Sequence, residues 1–420
     1  MKKTGILRGV CAALFLGPPG ASALEFIPVY NVGLSGGQYF FRGERASLNG
    51  NASVVAAPVL KAGEAWSFIP MYAGNYQGVK GVGEGVGAGT LFQQHMDHPV
   101  SFAAIHAPAD SPWRLKPSAS YKREFLKETR DEAWGKGLFD YQKLGLGLEA
   151  ENLYRDPFSY RLGFDFYMIR FPNYDSLESS AGVDPSGNPL GRELASRKVL
   201  DTYNFQLSAS GSRPFPYEDP KVSLQASYSL TYVYFADQRL VNSKGQYNDH
   251  KPYGRQDFLN TLGLSVAYPR PLDLFGHSTR LTSVFGVNLA YNGSNQNTFD
   301  ASRTQFVSDA YSYASYGLGP SFSLAWGEAK RPTAVGVSLR YNRLQYLGRL
   351  SQQGEGVYTA DHQYQDRTHL NLSYSYPISP GFYLKAQTNF LWVRSNQKYE
   401  KTYAYNYTTA NYVMGFAWEY

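Results

Sequence analysis

Over residues 222–234 apolar and polar positions alternate, with Val233 the one exception. Val222, Leu224, Ala226, Tyr228, Leu230, Tyr232 and Tyr234 fall on one face, with Ser223, Gln225, Ser227, Ser229 and Thr231 on the other. A period of two marks an extended strand, whose successive side chains point to opposite faces. The pattern recurs in Phe158, Tyr160, Leu162, Phe164, Phe166 and Met168, set against Ser159, Arg161, Gly163 and Asp165. It recurs again in Phe285, Val287, Leu289 and Tyr291, and in Leu370, Leu372, Tyr374 and Tyr376. These runs exceed the ~5–6 residues of an ordinary soluble strand. The longer two, over residues 158–168 and 222–234, reach the ~9–11 residues that a tilted strand needs to cross a bilayer.

The connections are of two kinds. Short ones, mostly carrying Pro or Gly, occupy residues 61–64, 154–157, 214–217, 269–271, 327–330 and 377–381. Long polar ones occupy 127–136, 173–198, 237–255, 294–308, 351–365 and 395–403. Short turns on one side and long loops on the other are the habit of membrane barrels, with the turns periplasmic and the loops extracellular. Pro and Gly suit the turns because they pre-set turn dihedrals. The expected fold is therefore all-β: a closed antiparallel transmembrane β-barrel with short periplasmic turns and long extracellular loops. About sixteen strands are expected, one of them within residues 24–34. Residues 78–89 are rich in glycine and carry no clear assignment; if they and residues 90–107 form a loop or lumen insert, the number falls to about fourteen.

The two ends add an address. Lys2, Lys3 and Arg8 precede an apolar run over residues 10–15, and Ala21-Ser22-Ala23 is a small-x-small cleavage site. Residues 1–23 thus read as a secretory signal peptide and 24–420 as the barrel. Cys11 is the only cysteine and lies in that leader, so the mature chain has no disulfide and no cysteine metal ligand. At the other end Tyr412, Met414, Phe416, Trp418 and Tyr420 alternate with Asn411, Val413, Gly415, Ala417 and Glu419. Gly415, Trp418 and Tyr420 resemble the C-terminal signal of bacterial outer-membrane β-barrels, the porin-like superfamily. The resemblance implies an outer-membrane location, contact with outer-membrane lipid, and insertion by the barrel-assembly machinery, which reads the final strand.

Composition fits this picture. Aromatic residues make up 16% of the chain, with 35 tyrosines, yet its mean hydropathy is −0.39. A chain polar on average and loaded with Tyr and Phe suits alternation between lipid and a wet interior. Half of the formal charge of +6 sits on Lys2, Lys3 and Arg8, so no nucleic-acid partner is expected. Aromatics near strand ends, such as Tyr234, Tyr376, Trp392 and Trp418, suit an interfacial girdle better than an inward sugar slide.

With the apolar face toward lipid, the lumen receives Lys116, Lys122, Lys143, Glu149, Glu151, Arg161, Asp165, Arg280, Arg340 and Lys385. Their positive excess would favour anions slightly; pairing of opposite charges, as between Arg161 and Asp165, would merely hydrate the interior. His95 and His98 with Asp97 are too few for a metal site, so no metal and no cofactor is expected. His277-Ser278 falls in a short turn, and no histidine precedes a serine by two residues on one strand face, so no catalytic residues are assigned. The function expected first is a porin-like channel for small solutes. A structural, assembly or secretion-associated barrel that engages an envelope partner is the alternative, and an outer-membrane lipid hydrolase comes third.

Overall fold

The structure, a computed structural model, describes residues 25–81, 92–128, 132–152, 159–175, 187, 190–191, 193–215, 222–248, 252, 254–274, 276–328, 330–400 and 404–420. The expected leader over residues 1–23 lies outside the described residues, as does most of the unassigned glycine-rich stretch. The chain runs through β1 (Glu25–Ile27), β2 (Tyr30–Phe41), β3 (Glu44–Ala56), β4 (Val59–Ala62), β5 (Trp66–Gly81), β6 (Phe92–His106), β7 (Trp113–Lys127) and β8 (Tyr141–Asn152). It continues through β9 (Ser159–Arg170), β10 (Thr202–Phe215), β11 (Val222–Arg239), β12 (Gly254–Leu274), β13 (His277–Ser294), β14 (Thr298–Asp300) and β15 (Gln305–Val307). The last are β16 (Tyr313–Glu328), β17 (Arg331–Gln352), β18 (Tyr358–Ser379), β19 (Phe382–Ser395) and β20 (Tyr407–Glu419).

Each long strand pairs antiparallel with its neighbour, and β20 pairs with β2, which closes a barrel of 16 strands. Strands β1 and β4 are short continuations of β2 and β3 beyond Pro28 and Pro58, and they pair with each other. Strands β14 and β15 form a small hairpin of their own in one long loop. Closure follows from the solvent: a lipid-facing sheet edge would leave backbone groups with no partner.

The outward face is apolar and open. Leu144, Leu146 and Leu148 are 51%, 59% and 51% exposed, an unfavourable row in water but the expected one in lipid. The buried apolar core is displaced to the mouth. Leu126, Phe139, Phe171, Tyr174, Val199 and Leu200 pack together where the loops after β7 and β9 fold over the inner wall.

Three expectations are corrected here. Pro269 and Pro271 do not form a turn; they lie within β12, opposite Thr282 and Arg280 of β13. The described pairing of β12 with β11 runs as far as Ala267, two residues before the first of these prolines. Residues 351–365 are mostly strand, since β17 and β18 each run for 22 residues and leave only 353–357 between them. His277 and Ser278 open β13 opposite Leu274 and Asp273, and the turn lies before them at Gly276.

The extracellular end also departs from the rule at its first hairpin, where β2 and β3 meet through Arg42 and Gly43 alone. Both residues have positive φ, 52° and 84°, the geometry of a tight hairpin turn.

Candidate functional site: the lumen and its mouth

The inner wall has two unlike halves. On β6 to β9 it is charged, and the ladder registers decide who meets whom. Lys116 stands opposite Glu149, and Glu151 opposite Arg161. The Lys116 ammonium lies 2.7 Å from Glu149 and 2.8 Å from Glu151, and Arg161 donates to Glu151 at 2.8 Å. The expected Arg161–Asp165 pair does not form. Positions i and i+4 of a strand lie about 13 Å apart, whereas cross-strand neighbours lie ~5 Å apart. Lys143 instead rests on the Tyr167 ring, 3.8 Å from its centroid.

Nearer the mouth, His95 and Asp97 of β6 meet Glu124 and Lys122 of β7 and Tyr141 of β8. His95 Nε2 is 2.8 Å from Glu124 Oε1 and 3.3 Å from Asp97 Oδ2. Lys122 Nζ is 2.5 Å from Glu124 Oε2, and the Tyr141 hydroxyl donates to that same oxygen. The His-Asp-Glu donor atoms lie within 4.8 Å of one another. Sequence reading had grouped His95 with His98, but successive residues alternate, and His98 hydrogen-bonds Tyr72 on the outer side at 2.9 Å. Glu124 was missed because its place opposite Asp97 is a matter of register, not of sequence distance.

The other half of the wall, from β10 to β18, is mainly hydroxyl and amide. A cavity of about 390 Å³ opens between Arg161 and Arg340 and is lined by Ser210, Ser212, Gln225, Ser227, Ser265, Asn288 and Ser321, among others. Arg280, Arg340 and Lys143 have no ion-pair partner within 4 Å among the described residues. The remaining candidate, Lys385, is held by Glu419 of the closing strand at 2.7 Å.

At the mouth the loops are cross-linked by charge and ring contacts. Arg255 grips Asp257 and lies over the Phe235 and Tyr311 rings, at 4.4 and 4.1 Å. Burial and the nearby Glu193 carboxylate push the Tyr311 hydroxyl well above its ordinary range, so it remains a proton donor, to Glu193. Arg349 lies over Tyr346 and donates to the Ala310 carbonyl, and Arg303 reaches the Glu355 carbonyl.

A closed wall, apolar outside, polar inside and long-looped at one end, decides the class. This is a closed antiparallel β-barrel whose outer face is apolar. No protein-family model matches the chain, and neither does any curated protein. Among solved structures, the barrel is similar to OpdK of Pseudomonas aeruginosa solved with vanillate (TM-score 0.45, 8% identity, 94% of this chain and 99% of that one). OccD3 of the same organism gives a TM-score of 0.43 at 9% identity over 95% of this chain and 93% of that one. A bacterial polysaccharide outer membrane secretin gives 0.42 at 9% over 94% and 98%. These are likenesses of architecture at low identity, and the residues of this barrel must supply the functional argument.

Proposed function

We propose that the barrel is a porin-like channel for small hydrophilic solutes, with a bias toward anions. The observation that carries this reading is the cavity between Arg161 and Arg340, hydroxyl-lined and partly flanked by a guanidinium without a carboxylate partner. Hydroxyls and amides exchange hydrogen bonds with a passing solute at little cost. The charges left over once the ion pairs are counted are three cations, Lys143, Arg280 and Arg340, against one carboxylate, Asp165, and that positive excess sets a selectivity. The reading includes outer-membrane lipid around the apolar face, a cleaved leader over residues 1–23, and insertion by assembly machinery that recognises Gly415, Trp418 and Tyr420.

Planar-bilayer recording tests it. Purified barrel should give stepwise conductance, and the reversal potential in a KCl gradient should lie on the chloride side. Arg340→Gln should move that potential toward zero without changing the yield of folded barrel. Folded barrel that gives no steps would overturn the channel reading, and cation preference would overturn the bias.

A further inference from the structure

We propose that His95, Asp97 and Glu124 form a binding site for a divalent transition-metal ion on the lumen wall. Three donors of mixed type converge there: an imidazole nitrogen and two carboxylate oxygens, from residues 2%, 9% and 4% exposed. The 3.3 Å between His95 Nε2 and Asp97 Oδ2 matches the spacing of neighbouring ligands of one small ion, and the 2.8 Å to Glu124 Oε1 would have to open slightly to admit it. Bonds of about 2.0–2.2 Å to nitrogen and oxygen, spread over a tetrahedron, place adjacent donors ~3.3 Å apart.

The two oxygens of Glu124 are sorted. Oε2 takes the Lys122 ammonium and the Tyr141 hydroxyl, while Oε1 faces His95 Nε2. Partners on the far oxygen that fix a carboxylate's orientation are the usual outer shell of a metal site. Charge points the same way. Two carboxylates face one ammonium, so one carboxylate charge is left without a lysine partner, in a place with little water to screen it. Nitrogen with two carboxylates suits borderline ions such as Zn²⁺ or Co²⁺ better than Ca²⁺ or Mg²⁺, which take oxygen shells. Lys122 is 3.8 Å from Asp97 Oδ2, near enough to balance it without occupying it.

The site requires no new chain geometry. His95 and Asp97 are two apart on one strand and so share a face, and the β6–β7 register sets Glu124 across from Asp97. A bound ion would leave at least one position open toward the lumen.

The test uses tag-free full-length barrel in detergent, its fold checked by heat-modifiable gel mobility. Titration with Co²⁺, followed by absorption and then by displacement with Zn²⁺, should show one saturable site per barrel. His95→Gln and Asp97→Asn should each weaken binding at least about tenfold, and Tyr141→Phe about tenfold through the outer shell. His98→Gln, on the opposite face, should leave it unchanged. Binding that survives His95→Gln in a folded barrel would place the metal elsewhere and overturn the proposal. Absence of saturable binding to folded wild-type barrel would overturn it too.

Discussion

Gly415 shows how little room a closed wall leaves. It stands opposite Ser35 across the seam between β20 and β2, and a Cβ there would run into the Leu34 carbonyl and the Ser35 backbone. Main chain cannot rotate away, so Gly415→Ala should cost about 1–3 kcal/mol, the usual scale of overpacking. Gly36, two strand positions from Leu34 on the outer face, has only the Asn49 carbonyl at 3.7 Å from such a Cβ and should accept alanine. Urea unfolding of the two variants in detergent compares them directly; equal midpoints would refute the steric account. The sequence marks Gly415 as part of a terminal pattern, but the reason a side chain is excluded lies in a strand nearly the whole chain away. Arg255 is a second such case. Asp257 is 5% exposed and depends on it, so Arg255→Met should strand a buried carboxylate at a cost of about 3–5 kcal/mol. The expected sign is faster proteolysis within residues 294–312, whose Tyr311 packs on that guanidinium.

At the scale of elements, alternation revealed strands and faces well, because it is written locally in each run. Ends were read less well. Prolines 269 and 271 resemble a turn until their register opposite Thr282 and Arg280 of β13 is seen, and the mixed polar sequence at the start of β18 hides a strand that begins at Tyr358. Contacts between loops were not readable at all. The loop after β19 illustrates this: its Glu400 accepts the backbone amides of Tyr405 and Asn406 at 2.8 and 2.7 Å, and binds Arg42 of the first hairpin at 2.8 Å. Burial alone would raise the Glu400 pKa, but those donors more than offset it and hold the carboxyl below the usual carboxylate range. A depressed pKa stabilises the folded form at pH values above the unfolded pKa of about 4.3, and that contribution is lost as pH falls through the folded value. Cleavage of the 396–406 loop by an acid-active protease should therefore accelerate as pH drops below about 4. Glu400→Gln should cleave at a rate that no longer depends on pH over that range; an unchanged pH profile in the variant would assign the effect to other carboxyls.

For the molecule as a whole, closure is the property on which the others depend, and it rests on the last strand. Residues of β20 pair with β19 on one side and β2 on the other, with Trp418 opposite Phe382 and Val32. The final residue completes the seam, since Tyr30 and Tyr420 exchange backbone hydrogen bonds of 2.9 Å in both directions. Removing residues 418–420 would strip β2 of its partner from Tyr30 to Val32 and free Lys385 from Glu419. An edge exposed in lipid has no water to satisfy it. The truncated chain should therefore refold in detergent with a yield several-fold lower than the full chain, while barrels that do close keep their single-channel conductance. Refolding without any cellular factor isolates pairing from recognition. If the truncated chain refolds normally in detergent but fails to insert in cells, the three residues act as an address alone. If it refolds and inserts normally, closure does not depend on them, and the seam must be held by Thr409 to Ala417 and their partners in β2.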